Sequence, residues 1–196
     1  MSQKIFFAGR LILAAFLVFA GTSWGEQVVT LRGKPLTLMG EEMQVGQTLP
    51  TVHLPDLGLS MIDLKSFKGK VTILSVVPSL DTPTCEKQTH ILSEENKGLD
   101  ASANLVTISR DLPFAQKRFA KEAKINNVIF LSDYRDAGFG EATGLLIDEN
   151  RLLTRAIIVL DRAGVIRYLE VVSELARLPD MEKAFDMTWS LINKGS

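Results

Sequence analysis

The most reactive side chain of this 196-residue sequence belongs to its single cysteine, Cys85. It ends the segment Pro78-x-x-x-Thr82-x-x-Cys85, between a run of β-branched residues and a polar, helix-prone run. Pro83 suits the first position of a helix, so Thr82 is its natural N-cap and Cys85 falls in the first turn. Free N–H groups and the positive end of the helix dipole meet in that turn, where they favour a thiolate, the nucleophilic form of cysteine. The spacing therefore predicts nucleophilic chemistry at Cys85, and a cation from elsewhere in the fold would offset the nearby Glu86.

Other interpretations of these residues stay open at this point. An unpaired cysteine is more often a small buried hydrophobic side chain than a reactive one. Thr82 could serve as a helix cap and nothing more. A single cysteine does exclude an internal disulfide, a CxxC redox pair and a zinc site built from several cysteines. The two histidines, His53 and His90, cannot by themselves build a histidine-rich metal centre, so we expect no metal and no other cofactor.

The elements that must position Cys85 can be predicted from hydrophobic patterning. Lys70–Val77 (KVTILSVV) is rich in β-branched residues and nearly continuous in apolar character, which is typical of a central strand buried on both faces. A helix over Pro83–Lys97 follows it. A second helix is predicted to begin with Asp111 as N-cap and Pro113 in its first turn. The remaining predicted elements are strands at Thr51–Leu54, Ser60–Leu64, Leu105–Ser109 and Asn127–Leu131, hairpins at Val28–Leu31 with Leu36–Met39 and Arg155–Leu160 with Val165–Val172, and helices at Gly138–Thr143 and Asp180–Lys194.

The order of these elements indicates one α/β domain over residues 26–196. Strands and helices alternate in the middle of the chain, which predicts a parallel core, and the late hairpin adds antiparallel strands. The result is a mixed central sheet flanked by helices, with an N-terminal β-hairpin, consistent with a thioredoxin-like fold. The formal net charge is −1 and no stretch of Lys and Arg is dense, so we expect no nucleic acid among the partners.

Residues 1–25 have the pattern of a secretory signal peptide. Lys4 and Arg10 give a positive start, Leu11–Ala20 is an uncharged apolar run, and small residues precede a cleavage site predicted after Gly25. The apolar run is shorter than the about 20 residues of a typical spanning helix, although an uncleaved membrane anchor stays open. We therefore expect a periplasmic or secreted protein, free of the membrane after cleavage, in an oxidising compartment.

Several segments together resemble a known family. Pro78–Cys85 is similar to the peroxiredoxin active-site motif PxxxTxxC. Asp111–Phe119 (DLPFAQKRF), Asn126–Ile129 and Thr154–Leu160 (TRAIIVL) resemble the thiol peroxidase group, the atypical 2-Cys peroxiredoxins of bacteria. The PxxxTxxC motif alone is moderately specific, and its combination with DLPFAQ is highly specific. The resemblance extends over nearly the whole chain that follows the predicted signal peptide.

This resemblance implies a role for each of four residues. Cys85 would be the peroxidatic cysteine, whose thiolate attacks the peroxide O–O bond and becomes a sulfenic acid. Thr82 would hold thiolate and peroxide in line, and Pro78 would shield the pocket from water. Arg155 would arrive from a distant strand to stabilise the thiolate and the departing oxygen, as the cation that the local pattern lacks. Arg155 as an ordinary surface arginine is the competing interpretation.

The sequence departs from the family pattern at one position. Alignment on DLPFAQKRF places Ala120 where the group has its resolving cysteine. An internal disulfide therefore cannot form, and we expect a 1-Cys-like enzyme of antioxidant defence that reduces hydrogen peroxide and small organic hydroperoxides. Its reductant would be an external thiol, from a thioredoxin-like or glutaredoxin-like protein or a small molecule, or Cys85 of a second subunit. The resemblance also implies a homodimer.

Two other functions stay open on the sequence alone. Cys85 could exchange disulfides with other proteins, in which case its reaction with peroxide would be incidental. The protein could also be a peroxide sensor without turnover, since the missing resolving cysteine leaves the sulfenic acid exposed.

Overall fold

The computed structural model describes residues 28–194, and the predicted signal segment at residues 1–25 lies outside them. Eleven strands and four α-helices are named in chain order. The strands are β1 Val29–Leu31, β2 Lys34–Leu36, β3 Leu38–Met39, β4 His53–Pro55, β5 Met61–Asp63, β6 Val71–Val76, β7 Ala103–Ser109, β8 Ile129–Ser132, β9 Leu146–Ile147, β10 Ala156–Leu160 and β11 Ile166–Val171. The helices are α1 Pro83–Glu94, α2 Pro113–Glu122, α3 Gly138–Thr143 and α4 Met181–Asn193.

The main sheet has five strands in the order β11-β10-β6-β7-β8. β6, β7 and β8 are parallel, because helices α1 and α2 return the chain to the same edge each time. β10 runs antiparallel to β6, and β11 pairs with β10 as a hairpin. β6 lies at the centre, with all six of its residues buried. The predicted mixed sheet with a central, doubly covered strand is therefore confirmed.

Alternate residues of the strands separate two apolar cores on opposite faces of the sheet. Helices α1, α2 and α4 cover one face, and α3 covers the other together with the N-terminal strands. Ile73 and Ile157 face the first group of helices, whereas their neighbours Leu74 and Ile158 face the other core. This parity decides which polar side chains of the sheet can reach Cys85, which packs in the first core.

The N-terminal hairpin is present, but its turn and second arm differ from the prediction. Arg32 and Gly33 both have positive φ (52° and 75°), which is the backbone of a two-residue hairpin turn, so β2 begins at Lys34. Leu38–Met39 leaves the hairpin and pairs with β9 instead. The chain passes so close to α3 there that a Cβ on Gly40 would meet the Glu141 carbonyl oxygen at 1.9 Å.

The first turns of two helices matter for the site. α1 begins at Pro83 as predicted and ends at Glu94, three residues earlier than expected. α2 begins at Pro113, but its N-cap is Leu112 and not Asp111. The prediction for Asp111 is wrong because its carboxylate is engaged elsewhere. Within residues 28–194, no helix is both long and apolar enough to cross a membrane.

Candidate active site

Cys85 lies in the first turn of α1, the helix that follows the central strand β6 along the chain. Its backbone N–H donates to the Thr82 carbonyl at 3.0 Å, and Glu86 donates to the same oxygen. The side chain is 0% exposed and packs in the apolar core under the helices. Burial alone would fit an inert packing cysteine, so the polar partners of the sulfur decide between the two interpretations.

Arg155 supplies the cation next to the sulfur. Its Nη2 donates to the Cys85 Sγ at 3.3 Å, although the two residues are 70 positions apart in sequence. Arg155 precedes β10 with the parity of Ile157, which turns its side chain toward the helices that carry Cys85. It is 2% exposed, so the interpretation as a surface arginine is wrong. The guanidinium therefore places a positive charge in direct contact with the sulfur.

Two further hydrogen bonds fix the orientation of the Arg155 guanidinium. Nη1 donates to Gln88 Oε1 at 2.7 Å, and Nε donates to the Leu175 carbonyl at 2.9 Å. Gln88 is itself held, because its amide nitrogen donates to Ser75 Oγ on β6 at 2.8 Å. The cation therefore cannot swing away from the sulfur without breaking these bonds, which makes it a preorganised donor.

Gln88 is a site residue that the sequence analysis missed. It follows Cys85 by three positions and so shares its helix face. Gln88 is fully buried. The prediction from the N-cap pattern covered only the first turn of the helix and so did not include it. The sequence does show a glutamine about one turn after the cysteine on the same helix face. A glutamine in a helix is common, however, and nothing marks it as a site residue until Arg155 is placed beside it.

Thr82 and Pro78 lie in the loop that joins β6 to α1, ahead of Cys85 in the chain. Thr82 occupies the N-cap position, yet its side chain makes no capping bond. Its hydroxyl instead donates to the Ser79 carbonyl at 3.0 Å, and the residue is exposed. The interpretation of Thr82 as merely a cap therefore loses its support. Pro78 is buried at the start of the same loop.

Asp111 is the second residue whose role the sequence analysis missed. One carboxylate oxygen accepts from Ser79 Oγ at 2.7 Å, and the other accepts from Leu80 N at 2.8 Å and Ser109 Oγ at 2.7 Å. Ser79 and Leu80 belong to the loop that leads to Cys85. The carboxylate therefore ties this loop to the end of β7.

Ala120 lies in the last turns of α2, in the same apolar core as Cys85. It is 6% exposed and surrounded by hydrophobic side chains, and it offers neither a thiol nor any other polar group. Nothing at this position can react with an oxidised Cys85.

Beyond these residues, the described part of the chain has a cavity but no cluster of metal-ligating side chains. Among residues 28–194, no group of three or more His, Cys, Asp or Glu side chains is placed to hold a metal ion. A cavity of about 390 Å³ lies away from Cys85, between the N-terminal hairpin and the end of α3. The chemistry that the site itself can perform is attack by an activated sulfur on an electrophile, with a fixed cation beside the reacting atoms.

Comparison with known proteins agrees with this chemistry. Residues 44–185 match the family model described as Redoxin. The chain is 44% identical to a thiol peroxidase of Halalkalibacterium halodurans over 158 residues, covering 81% of this chain and 95% of the relative. It is 44% identical to a thiol peroxidase of Bacillus subtilis over 164 residues, covering 84% and 98%. A crystal structure of a peroxiredoxin-like protein from Aquifex aeolicus superimposes with a TM-score of 0.80 at 34% identity, covering 85% of this chain and 98% of that one.

Proposed function

The chain belongs to the Redoxin family and is a thiol peroxidase, an enzyme that reduces peroxides, and we propose a role for each residue of its site in that reaction. Cys85 is the nucleophile, Arg155 the charge-stabilising cation, and Thr82 and Pro78 the residues that position and shield the peroxide. Hydrogen peroxide and small organic hydroperoxides are the substrates that the resemblance to thiol peroxidases implies.

The oxidation step follows from the contact between Arg155 and the sulfur. The Cys85 thiolate attacks one peroxide oxygen, an S–O bond forms, and the O–O bond breaks. The departing oxygen takes a proton and leaves as water or an alcohol, while the cysteine loses two electrons and becomes a sulfenic acid. Arg155 stabilises first the thiolate and then the negative charge that develops on the departing oxygen.

The reduction step requires a thiol from outside the chain, since Cys85 is the only cysteine of the sequence. An external thiol condenses with the sulfenic acid, which forms a mixed disulfide and releases water. A second thiol then breaks that disulfide, restores Cys85 and leaves as the oxidised reductant. A thioredoxin-like or glutaredoxin-like protein or a small thiol would fill this role.

One observation carries this proposal: the Arg155 guanidinium donates to the Cys85 sulfur at 3.3 Å. The test is stopped-flow oxidation of the purified protein by hydrogen peroxide, with Cys85→Ser as the control. Fast, stoichiometric formation of sulfenic acid, lost in Cys85→Ser, is expected. Oxidation no faster than that of a free small thiol would refute the assignment.

The setting of the enzyme is also part of the proposal. The signal-like pattern of residues 1–25 supports a periplasmic or secreted enzyme, where the external thiol would be supplied in an oxidising compartment. N-terminal sequencing of the protein from its native compartment tests cleavage after Gly25. The homodimer stays a prediction from the family resemblance, and light scattering of the purified protein tests it.

A further inference from the structure

Asp111 joins three parts of the chain that meet beside the active-site loop. It follows β7, and its carboxylate accepts hydrogen bonds from Ser79 Oγ and Leu80 N of the loop before Cys85. Ser79 Oγ in turn accepts from Asp81 N at 3.3 Å, so the hydroxyl connects Asp111 to one more residue of the loop. No α2 cap is formed by Asp111, since Leu112 is the N-cap.

The hydrogen bonds continue from this loop to the reacting cysteine. The Ser79 carbonyl accepts from both the backbone N–H of Thr82 at 3.2 Å and its hydroxyl at 3.0 Å. The Thr82 carbonyl then accepts from Cys85 N at 3.0 Å. A displacement of Ser79 would therefore move the threonine hydroxyl and the first turn of α1 together.

The carboxylate is itself fixed from behind. Ser109 Oγ donates to it at 2.7 Å and accepts from Gln116 Nε2 at 3.0 Å. Gln116 is fully buried, and its amide also donates to the Leu131 carbonyl of β8 at 2.9 Å. Strands β7 and β8 and helix α2 thus hold Asp111 rigidly, and Asp111 holds the loop.

We propose that Asp111 is a positioning residue for peroxide reduction, which acts through Ser79 on Thr82 and so sets where the peroxide lies relative to the Cys85 sulfur. The proposal rests on the proposed function. A misplacement of about 1 Å at a reacting centre can lower a rate by about 100-fold. The loop anchor is therefore expected to affect the attack on peroxide more than the reactivity of the sulfur in general.

A matched control exists at the end of the neighbouring strand. Asp133 directly follows β8, is 2% exposed, and accepts from the backbone N–H groups of Phe139 at 2.9 Å and Gly140 at 3.0 Å. It anchors α3 on the opposite core and not the Cys85 loop. Asp133→Asn therefore alters another carboxylate that accepts backbone N–H groups after a strand, without touching the proposed relay.

The experiment measures two rate constants of Cys85 in each variant: oxidation by hydrogen peroxide and alkylation by iodoacetamide. In Asp111→Asn, we expect oxidation to fall by about 10- to 100-fold and alkylation not to fall, because a loosened loop leaves the sulfur reactive. Ser79→Ala should repeat this result in a variant that loses only one hydroxyl, and Ser79→Thr, which keeps the hydroxyl, should restore most of the oxidation rate. Asp133→Asn should leave both rates within about twofold of those of the unaltered protein.

The outcomes separate this proposal from the proposed function. Slow oxidation of the unaltered protein would refute the peroxidase assignment. Fast oxidation of the unaltered protein with an unchanged rate in Asp111→Asn, or in Ser79→Ala should Asp111→Asn fail to fold, would overturn only the positioning role. Parallel loss of oxidation and alkylation, or an equal loss in Asp133→Asn, would overturn it too, since either result indicates a general effect on the fold.

Discussion

The first turn of α1 and the last turns of α2 lie in the same core, but they differ in the groups that they offer for redox chemistry. Around Cys85, the guanidinium of a buried arginine donates both to the sulfur and to a buried glutamine. Around Ala120, the surroundings are hydrophobic and there is no second thiol. The chain therefore offers one thiol with a cation beside it for the oxidative half of a thiol peroxidase cycle, and no second thiol for the reductive half.

The largest effect is expected from removing the cation beside Cys85. In Arg155→Met, the sulfur and the departing oxygen lose a preorganised donor, and we expect the rate of oxidation by peroxide to fall by about 100- to 1,000-fold. Arg167→Met is the matched control, because Arg167 is an exposed arginine on β11 that pairs with Asp161. Stopped-flow oxidation of both variants gives the comparison, and equal rates would mean that Arg155 plays no part in the reaction.

The second largest effect is expected from adding a thiol at position 120. Ala120→Cys places a thiol where the related group has its resolving cysteine, and the oxidised variant is expected to form an internal disulfide. Over-oxidation to sulfinic acid should then fall, because the sulfenic acid is consumed before it meets a second peroxide. Mass spectrometry under repeated peroxide doses measures both products. Ala142→Cys adds a thiol on the exposed surface of α3 as the control, and a similar disulfide yield there would deny that position 120 is special.

A smaller effect is expected from the residue that orients the cation. Gln88→Leu removes the acceptor for Arg155 Nη1 and the donor to Ser75, so the guanidinium gains freedom while its charge stays near the sulfur. We expect the oxidation rate to fall by about tenfold, from looser positioning, and the stability to fall by about 1–3 kcal/mol from unpaired buried groups. Denaturant unfolding and stopped-flow oxidation measure the two. A rate loss as large as that of Arg155→Met would mean that Gln88 does more than orient the arginine.

The smallest effect concerns the segment that carries Leu175, the carbonyl partner of Arg155. Hydrogen bonds from the backbone of Arg32 and Gly33 lower the pKa of the neighbouring Glu174 to about 2. A lowered folded-state pKa stabilises the protein above the unfolded value of 4.5, and this contribution is lost as the pH falls toward 2. The stability advantage of the unaltered protein over Glu174→Gln should therefore shrink between about pH 5 and pH 2. Thermal unfolding across that range tests it, and a constant difference would deny the linkage.

The sequence predicted the main sheet and the placement of Cys85 in the first turn of α1 well, because both depend on local patterns. The apolar run of β6, the proline at the start of α1 and the spacing from Thr82 to Cys85 all act over a few residues. The family resemblance added Arg155, which lies 70 positions away, just before β10, and has no local signal of its own.

The residues that sequence reasoning missed depend on contacts between distant segments. Gln88 and Asp111 look like an ordinary helix residue and an ordinary helix cap until Arg155 and Ser79 are placed beside them. Leu38–Met39 pairs with β9 and not with the first arm of the hairpin, because the positive φ values of Arg32 and Gly33 shorten the hairpin turn. Strand partners and side-chain networks are set by tertiary structure, so local sequence patterns do not reveal them.

In the proposed cycle, peroxide oxidises Cys85 within one chain and only an outside thiol reduces it again. Intact-mass measurement after one equivalent of hydrogen peroxide, without reductant and again with an added thiol, tests this cycle. We expect a gain of one oxygen atom on Cys85 in the first sample, and a mixed disulfide or the restored thiol in the second. An unmodified protein, or a dimer linked through Cys85 in the absence of added thiol, would contradict it.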